Sequence, residues 1–204
     1  ILPSTVLADG ADANSVSIWF STIDNAAKDF PVIRRQLTVP AGTGAKYGWN
    51  NAEPGHLVGG QDHGVEKGEV TVMDALLYGH EEIYGDAFTK DTMGNYISGS
   101  AAYVTKIFEC SGSGIGFAVN DRLPVGQKSD GYAANEYVLQ DGDEVTWFLY
   151  GGDYWEDYYS YFDKKSADIE TGEPLTLTLE SFMAMGALSG SPGTDTPALE
   201  VRPV

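Results

Sequence analysis

The sequence predicts an α+β fold: a small antiparallel or mixed sheet with one main helix packed on it, followed by a β-rich C-terminal extension. Three observations carry that prediction. One stretch near residue 70 has helical apolar spacing behind a capping signal. Short β-branched or aromatic runs surround it, and turn pairs such as Asp141–Gly142 separate those runs. The count is about seven strands and one helix, and one helix among antiparallel strands suggests an α+β sheet with the helix packed on one face.

The elements follow in chain order. Ser15 to Phe20 (SVSIWF) is short, apolar and β-branched, and reads as a strand. Pro31 to Val39 alternates loosely and makes a second, closed by Pro40. Residues 41–68 are rich in glycine and hold Asn50, Asn51 and Pro54, so they read as one long loop, a length uncommon unless it packs or binds something. Thr71 and Asp74 then form a capping-box pair, with Asp in place of the usual Glu. Val72, Ala75, Leu76, Gly79 and Ile83 fall on one helical face, which reads as core, and Gly85 is the stop.

Strands return after the helix. Tyr103 to Phe108 is one; Ile115 to Val119 is another, closed by the turn pair Asn120–Asp121. Tyr137 to Leu139 and Val145 to Tyr150 flank Gln140-Asp141-Gly142-Asp143. Asp-Gly between two apolar runs predicts a hairpin, because the tight turn needs positive φ at its centre. Leu175 to Leu179 alternates leucine with threonine, one face buried and one wet. Gly186 to Pro197 reads as a loop, and Leu199 to Val201 as a last strand.

Composition narrows the function classes. The 204 residues are 42% apolar, enough for a sizeable core. A formal charge of -18 repels phosphate backbones and anionic lipid, which excludes nucleic acid as a partner. No apolar run approaches the ~20 residues that span a bilayer, so no membrane insertion is expected. The chain begins at Ile1 without a charged leader, which reads as a trimmed mature protein or an excised fragment. The lone cysteine, Cys110, reads as a small core residue.

Catalytic signatures are missing. There is no Gly-x-Ser-x-Gly elbow, P-loop or dinucleotide fingerprint, so no catalytic residue is assigned. His80, beside Glu81 and Glu82, reads as a solvated helix histidine. His56 and His63 share the long loop with Asp62 and Glu66, but their spacing matches no compact zinc pattern, and no metal is expected there. Calcium is the one cation that the acid-rich turns Asp141-Gly142-Asp143 and Asp153 to Asp157 could take; turn chemistry and solvation explain both without it, so no cofactor is expected.

The most informative local feature is Tyr150 to Asp163 (YGGDYWEDYYSYFD), where aromatic rings and acids interleave. Exposed rings flanked by carboxylates suit stacking on a glycan, and they suit a protein interface equally well. The competing reading is that alternate rings pack on the sheet. Tyr154, Trp155 and Tyr158 are the candidate ligand-binding residues.

Three stretches in order carry a family resemblance: a helix opening VTVMDALLYG (Val70 to Gly79), then YVTKIFECSGSGIGFAVND (Tyr103 to Asp121), then YVLQDGDEVTWFLY (Tyr137 to Tyr150). The set resembles the domain of unknown function DUF4430, the transcobalamin C-terminal-like β-grasp domain of bacterial cell-surface proteins. The resemblance implies a β-grasp fold over residues 1–150, with residues 151–204 as an aromatic loop and β-rich extension packed on the same domain. It also implies an extracellular, cell-surface or cell-wall-associated module of a Gram-positive bacterium. Such a module would work by adhesion to a glycan or protein; the alternative is a soluble domain that binds a small ligand such as cobalamin or another corrinoid. It further requires that Met73 be helical and that the two flanks of Gly142 pair.

Overall fold

The computed structural model describes residues 14–23, 33–112, 114–124, 131–150, 158–183 and 199–201. Strands β1 (Ser15–Thr22) and β2 (Arg34–Pro40) pair antiparallel, Ile18 opposite Leu37 and Val16 opposite Val39. Of the expected second strand, Pro31 and Val32 lie outside the described residues. Ile18, Phe20, Leu37 and Val39 are buried while Trp19, Gln36 and Thr38 face outward, as period-two alternation requires.

Residues 41–68 are not the single loop that their composition predicts. They hold a one-turn helix α1 (Thr43–Lys46) and a miniature hairpin, β3 (Leu57–Val58) with β4 (Gln61–Asp62). Gly59 and Gly60, at φ 57° and 84°, supply the two positive-φ positions that so tight a hairpin demands. Tyr47, Trp49 and Val65 are buried, so the segment packs as part of the domain.

Helix α2 (Val72–Tyr84) begins at the expected capping box: the Thr71 side chain accepts from the Asp74 N–H, and Asp74 Oδ2 accepts from the Thr71 N–H at 3.0 Å. Met73 is thus helical. Asp74 does more than cap, because its Oδ1 accepts from the Gly44 N–H at 2.7 Å and its Oδ2 from Asn51 Nδ2 at 3.2 Å. One buried carboxylate therefore ties the helix to the 43–51 segment. Only glycine fits at position 44, where a Cβ would sit 2.4 Å from the Trp49 carbonyl oxygen.

After two short 3₁₀ turns, β5 (Ser98–Gly99), β6 (Val104–Ile107) and β7 (Cys110–Ser111) make a small separate sheet. Then β8 (Ile115–Val119) and β9 (Glu144–Leu149) complete the main sheet, in the order β2-β1-β9-β8. Strand β9 lies parallel to β1 and antiparallel to β8. Val145, Trp147 and Leu149 join the core shared with α2.

The hairpin expected across Gly142 does not form. The Asp-Gly turn itself is present, with Gly142 at φ 89° and the Asp143 N–H bonded to Gln140 O at 3.2 Å. Its N-terminal flank, however, is taken by the start of the helix: the Val72 N–H donates to Tyr137 O, the Leu139 N–H donates to Val70 O, and Val138 bridges Thr71. The other flank, β9, has β1 and β8 on its two sides and no edge left for Tyr137 to Leu139. The turn instead docks on β1, where Gly142 N–H donates to Ser17 O and Asp141 Oδ1 accepts from Ser17 N–H, each at 2.8 Å.

A third layer covers the far side of the main sheet. Strands β10 (Tyr158–Phe162), β11 (Leu177–Met183) and β12 (Leu199–Val201) form an antiparallel sheet in that order. Tyr159 packs with Ala118 and Phe148, which point away from α2 because their neighbours Val119, Trp147 and Leu149 point toward it. The predicted LTLTL strand starts late, at Leu177, and Leu177, Thr178 and Leu179 are all half-buried, so the expected split into a dry and a wet face is not seen. The expected loop at Gly186 to Pro197 lies outside the described residues.

Candidate binding face

Strand β10 divides the aromatic run by alternation. Tyr159 is buried and Tyr161 half-buried toward the main sheet, while Tyr158, Ser160 and Phe162 face outward. Tyr158 is 51% exposed and Phe162 41% exposed, two large rings on one face of the same strand. On the neighbouring strand, Ser181 stands opposite Ser160 and Leu179 opposite Phe162. The result is a flat strip with a ring at each end, ~13 Å apart along the strand, and hydroxyls between. Of the three candidate residues, Tyr158 is on this strip; Tyr154 and Trp155 lie outside the described residues. Phe162 was missed by the sequence reading, although strict alternation from Tyr158 points to it.

The inward face anchors the strip. The Tyr159 hydroxyl donates to Asp121 Oδ1 at 2.9 Å, and Lys165 Nζ lies 2.5 Å from Asp121 Oδ2 and 3.7 Å from Glu144 Oε2. Asp121 is available there because Asn120 and Asp121 form a positive-φ turn after β8, at 54° and 58°. Burial, reinforced by Asp121, holds the Tyr159 hydroxyl far above its usual value. Burial, with Glu180 adding to it, pushes Tyr161 up to about 12. Both rings therefore stay neutral donors at physiological pH.

The histidines fall into two places. His63 is buried, stacked on Tyr132 at 3.9 Å, and its Nδ1 meets Glu136 Oε2 at 3.0 Å; His56 Nε2 meets Glu136 Oε1 at 3.2 Å. Glu136 thus fastens the 53–65 segment to the 131–137 turn. It lies 73 residues from His63, a distance no spacing rule spans. The loop acids are elsewhere: Asp62 accepts from the Gly64 N–H, and Glu66 donates its N–H to Glu69. Among the described residues no group of three or more His, Cys, Asp or Glu is arranged to hold a metal.

His80 corrects the expectation of a solvated side chain. It is fully buried, stacked on Phe108 at 4.0 Å and flanked by Phe88. Helix α2 is covered on more than the single stripe that its apolar spacing marks, since Phe88, and Phe108 of the β6–β7 turn, lie over the flank carrying His80. The acids at 141 and 143 serve the turn: Asp141 binds Ser17, and Asp143 accepts from Asn120 Nδ2 and the Gln140 N–H. Asp153 to Asp157 lie outside the described residues.

No family model, characterised protein or solved structure matches the chain. Tyr158, Ser160 and Phe162 offer ring faces and hydroxyls to a ligand in contact with the outer sheet. No helix among the described residues is long and apolar enough to cross a membrane.

Proposed function

We propose that this chain is a non-catalytic binding module of a bacterial surface protein, extracellular or cell-wall-associated, which holds a glycan or protein ligand on the outer face of β10. The observation that carries the reading is the Tyr158–Ser160–Phe162 strip, where two large rings stay exposed although Tyr159 between them is buried. Leaving rings in water forgoes burial worth about 1.5–3 kcal/mol each, and an intermittently covered contact surface is a reason to do so. Tyr154 and Trp155 belong to the same aromatic run in the sequence.

The main domain is read as a β-grasp. A β1–β2 hairpin, a helix packed on it and a last strand inserted parallel to β1 is the arrangement such a fold needs, and the sheet order β2-β1-β9-β8 supports it. The hairpin at Gly142 that the family resemblance requires does not form, so the binding proposal rests on the exposed strip and not on that resemblance; the capped helix start and the strand ending at Val119–Asn120 are what remain in favour of a surface-protein module.

The test is binding. An array of cell-wall and host glycans, with a parallel pull-down of surface proteins, is screened with the wild type and with Tyr158→Ala, Phe162→Ala and Trp155→Ala. The reading expects a hit weakened about tenfold or more by at least one variant. A blank screen, or a hit indifferent to all three, removes it.

A further inference from the structure

Both ring nitrogens of His80 are committed, and only one protonation state allows it. Nε2 lies 3.0 Å from the Phe108 N–H and must accept from it. Nδ1 therefore carries the proton and donates to Leu76 O at 2.8 Å. A second proton would enter on Nε2 and set donor against donor, inside a stack of Phe108, Phe88 and Tyr84 rings.

The group at the other end of that bond is held under conformational tension. Phe108 and Glu109 are the two central residues of the turn joining β6 to β7, at φ 46° and 66°, and neither is glycine. L side chains resist this region, so the turn needs outside support. The hairpin also stands apart from the main sheet, its strand pairings running only within β5–β6–β7. Its other ties include the buried side chains of Val104, Ile107 and Phe108, the Glu109 N–H to Tyr96 O, the Tyr84 hydroxyl to Glu109 Oε2, and Lys106 Nζ to the carbonyls of Gly94 and Asn95.

Among the described residues no carboxylate stands against the imidazole to welcome a charge. On its own helix Tyr84 faces it, and that hydroxyl turns to Glu109 Oε2 at 3.5 Å. The hairpin brings Glu109 and Cys110, and the residue after the 3₁₀ segment, Tyr96, sets its ring 4.1 Å from that of Tyr84 at a tilt of 36°. Glu81 turns away to Lys46 and Tyr47, and Glu82 to Tyr78.

We propose that protonation of His80 releases the β6–β7 hairpin from helix α2, so that the hairpin is an acid-opened flap on an otherwise intact domain. Burial lowers the His80 value from 6.5 to about 4, the Leu76 bond opposing only in part. A group lowered on closing favours the closed form above 6.5 and progressively loses that advantage as pH falls toward 4. The ratio of the two affinities, 2.5 decades from these two values, makes opening roughly 300-fold easier across that window.

Amide hydrogen exchange on the full chain, read by NMR from pH 7 to pH 4, tests this. The protection factor of the Phe108 amide is expected to fall about tenfold per pH unit below 6.5, while the amides of Leu77 in α2 and Trp147 in β9 hold theirs. A Phe108 amide that keeps its protection, or three amides that lose it together, overturns the proposal, the latter because acid then unfolds the whole domain. His80→Gln, a neutral side chain that can still accept and donate, should flatten the Phe108 profile. Should that variant fail to fold, the nitrogen shifts of His80 in the wild type decide: Nε2 bare at pH 7 with a midpoint near 4 supports the flap, and a midpoint near 6.5 sinks it.

Discussion

Asp74 is the residue whose loss the domain should tolerate least. Its carboxylate is fully buried and accepts from the Gly44 N–H, the Thr71 N–H and Asn51 Nδ2. Asp74→Ala leaves those three donors facing a small void, at about 1–3 kcal/mol for each that water cannot reach. It also removes a negative charge from the first turn of α2, worth about 0.3–1 kcal/mol. Partial relaxation brings the expected total to about 4–6 kcal/mol, against about 5–15 kcal/mol for a whole domain. Asp74→Asn separates shape from acceptor capacity: its NH₂ must face either Gly44 or the Thr71–Asn51 pair, and about 2–3 kcal/mol should go. The assay is urea unfolding followed by tryptophan fluorescence, with the slope checked for constancy. A loss under about 1.5 kcal/mol for Asp74→Ala, or an Asn variant as stable as wild type, would refute the view that this carboxylate joins the helix to the 43–51 segment.

Other outcomes follow from the same geometry. Gly44→Ala puts a Cβ 2.4 Å from a backbone oxygen that cannot swing aside, and should cost about 2–4 kcal/mol in the same urea assay. Tyr158→Ala and Phe162→Ala should leave stability within about 1 kcal/mol of wild type, so that any lost binding is not lost folding; a larger drop in melting temperature would mean that the strip is core. Burial first, and then Glu109, raises Tyr84 to about 12, and Tyr161 is raised to about 12 as well. Groups raised on folding give stability that is complete below the unfolded value of 10 and is lost as pH rises through 10 to 12. Stability should therefore fall together with the part of the tyrosinate absorbance rise that lies above pH 10 in an alkaline titration, and a rise of all 12 tyrosines completed by pH 10 with structure intact would contradict it. Arg34→Ala removes a guanidinium stacked 4.8 Å from the Trp19 ring and paired with Glu144, yet both partners are partly exposed; the cost should be under about 1 kcal/mol by thermal melting.

How much of this was legible in the sequence varies with the range of the interaction. The start of α2 could be read because a capping box is a contact between residues three apart, and Thr71 and Asp74 make it as expected. The Asn120–Asp121 turn was equally local. The hairpin at Gly142 was misread although its turn chemistry was right. A turn type fixes how the chain reverses, not which strand each arm then joins, and here the helix N-terminus competed for Tyr137 to Leu139. That pairing was a stated requirement of the family resemblance, and it is not met. His80 was misread because two adjacent glutamates signal water on a helix face, while the hairpin that covers it lies 28 residues away. The partnership of His56 and His63 with Glu136 was invisible for the same reason. Of the candidate face, alternation from Tyr158 could have supplied Phe162; nothing local could have said which face of β10 would be covered.

The position of β9 has a consequence for how the polypeptide is made. The strand that fills the middle of the main sheet is its last to leave the ribosome, so β1 must wait with one side unpaired until residue 149 has emerged. Until then a bare strand carrying Ile18, Trp19 and Phe20 is open to pairing with any other chain, which is the situation in which nascent proteins aggregate. A truncation that stops before Glu144 should therefore yield insoluble material and not a smaller folded domain, whatever the health of the helix within it.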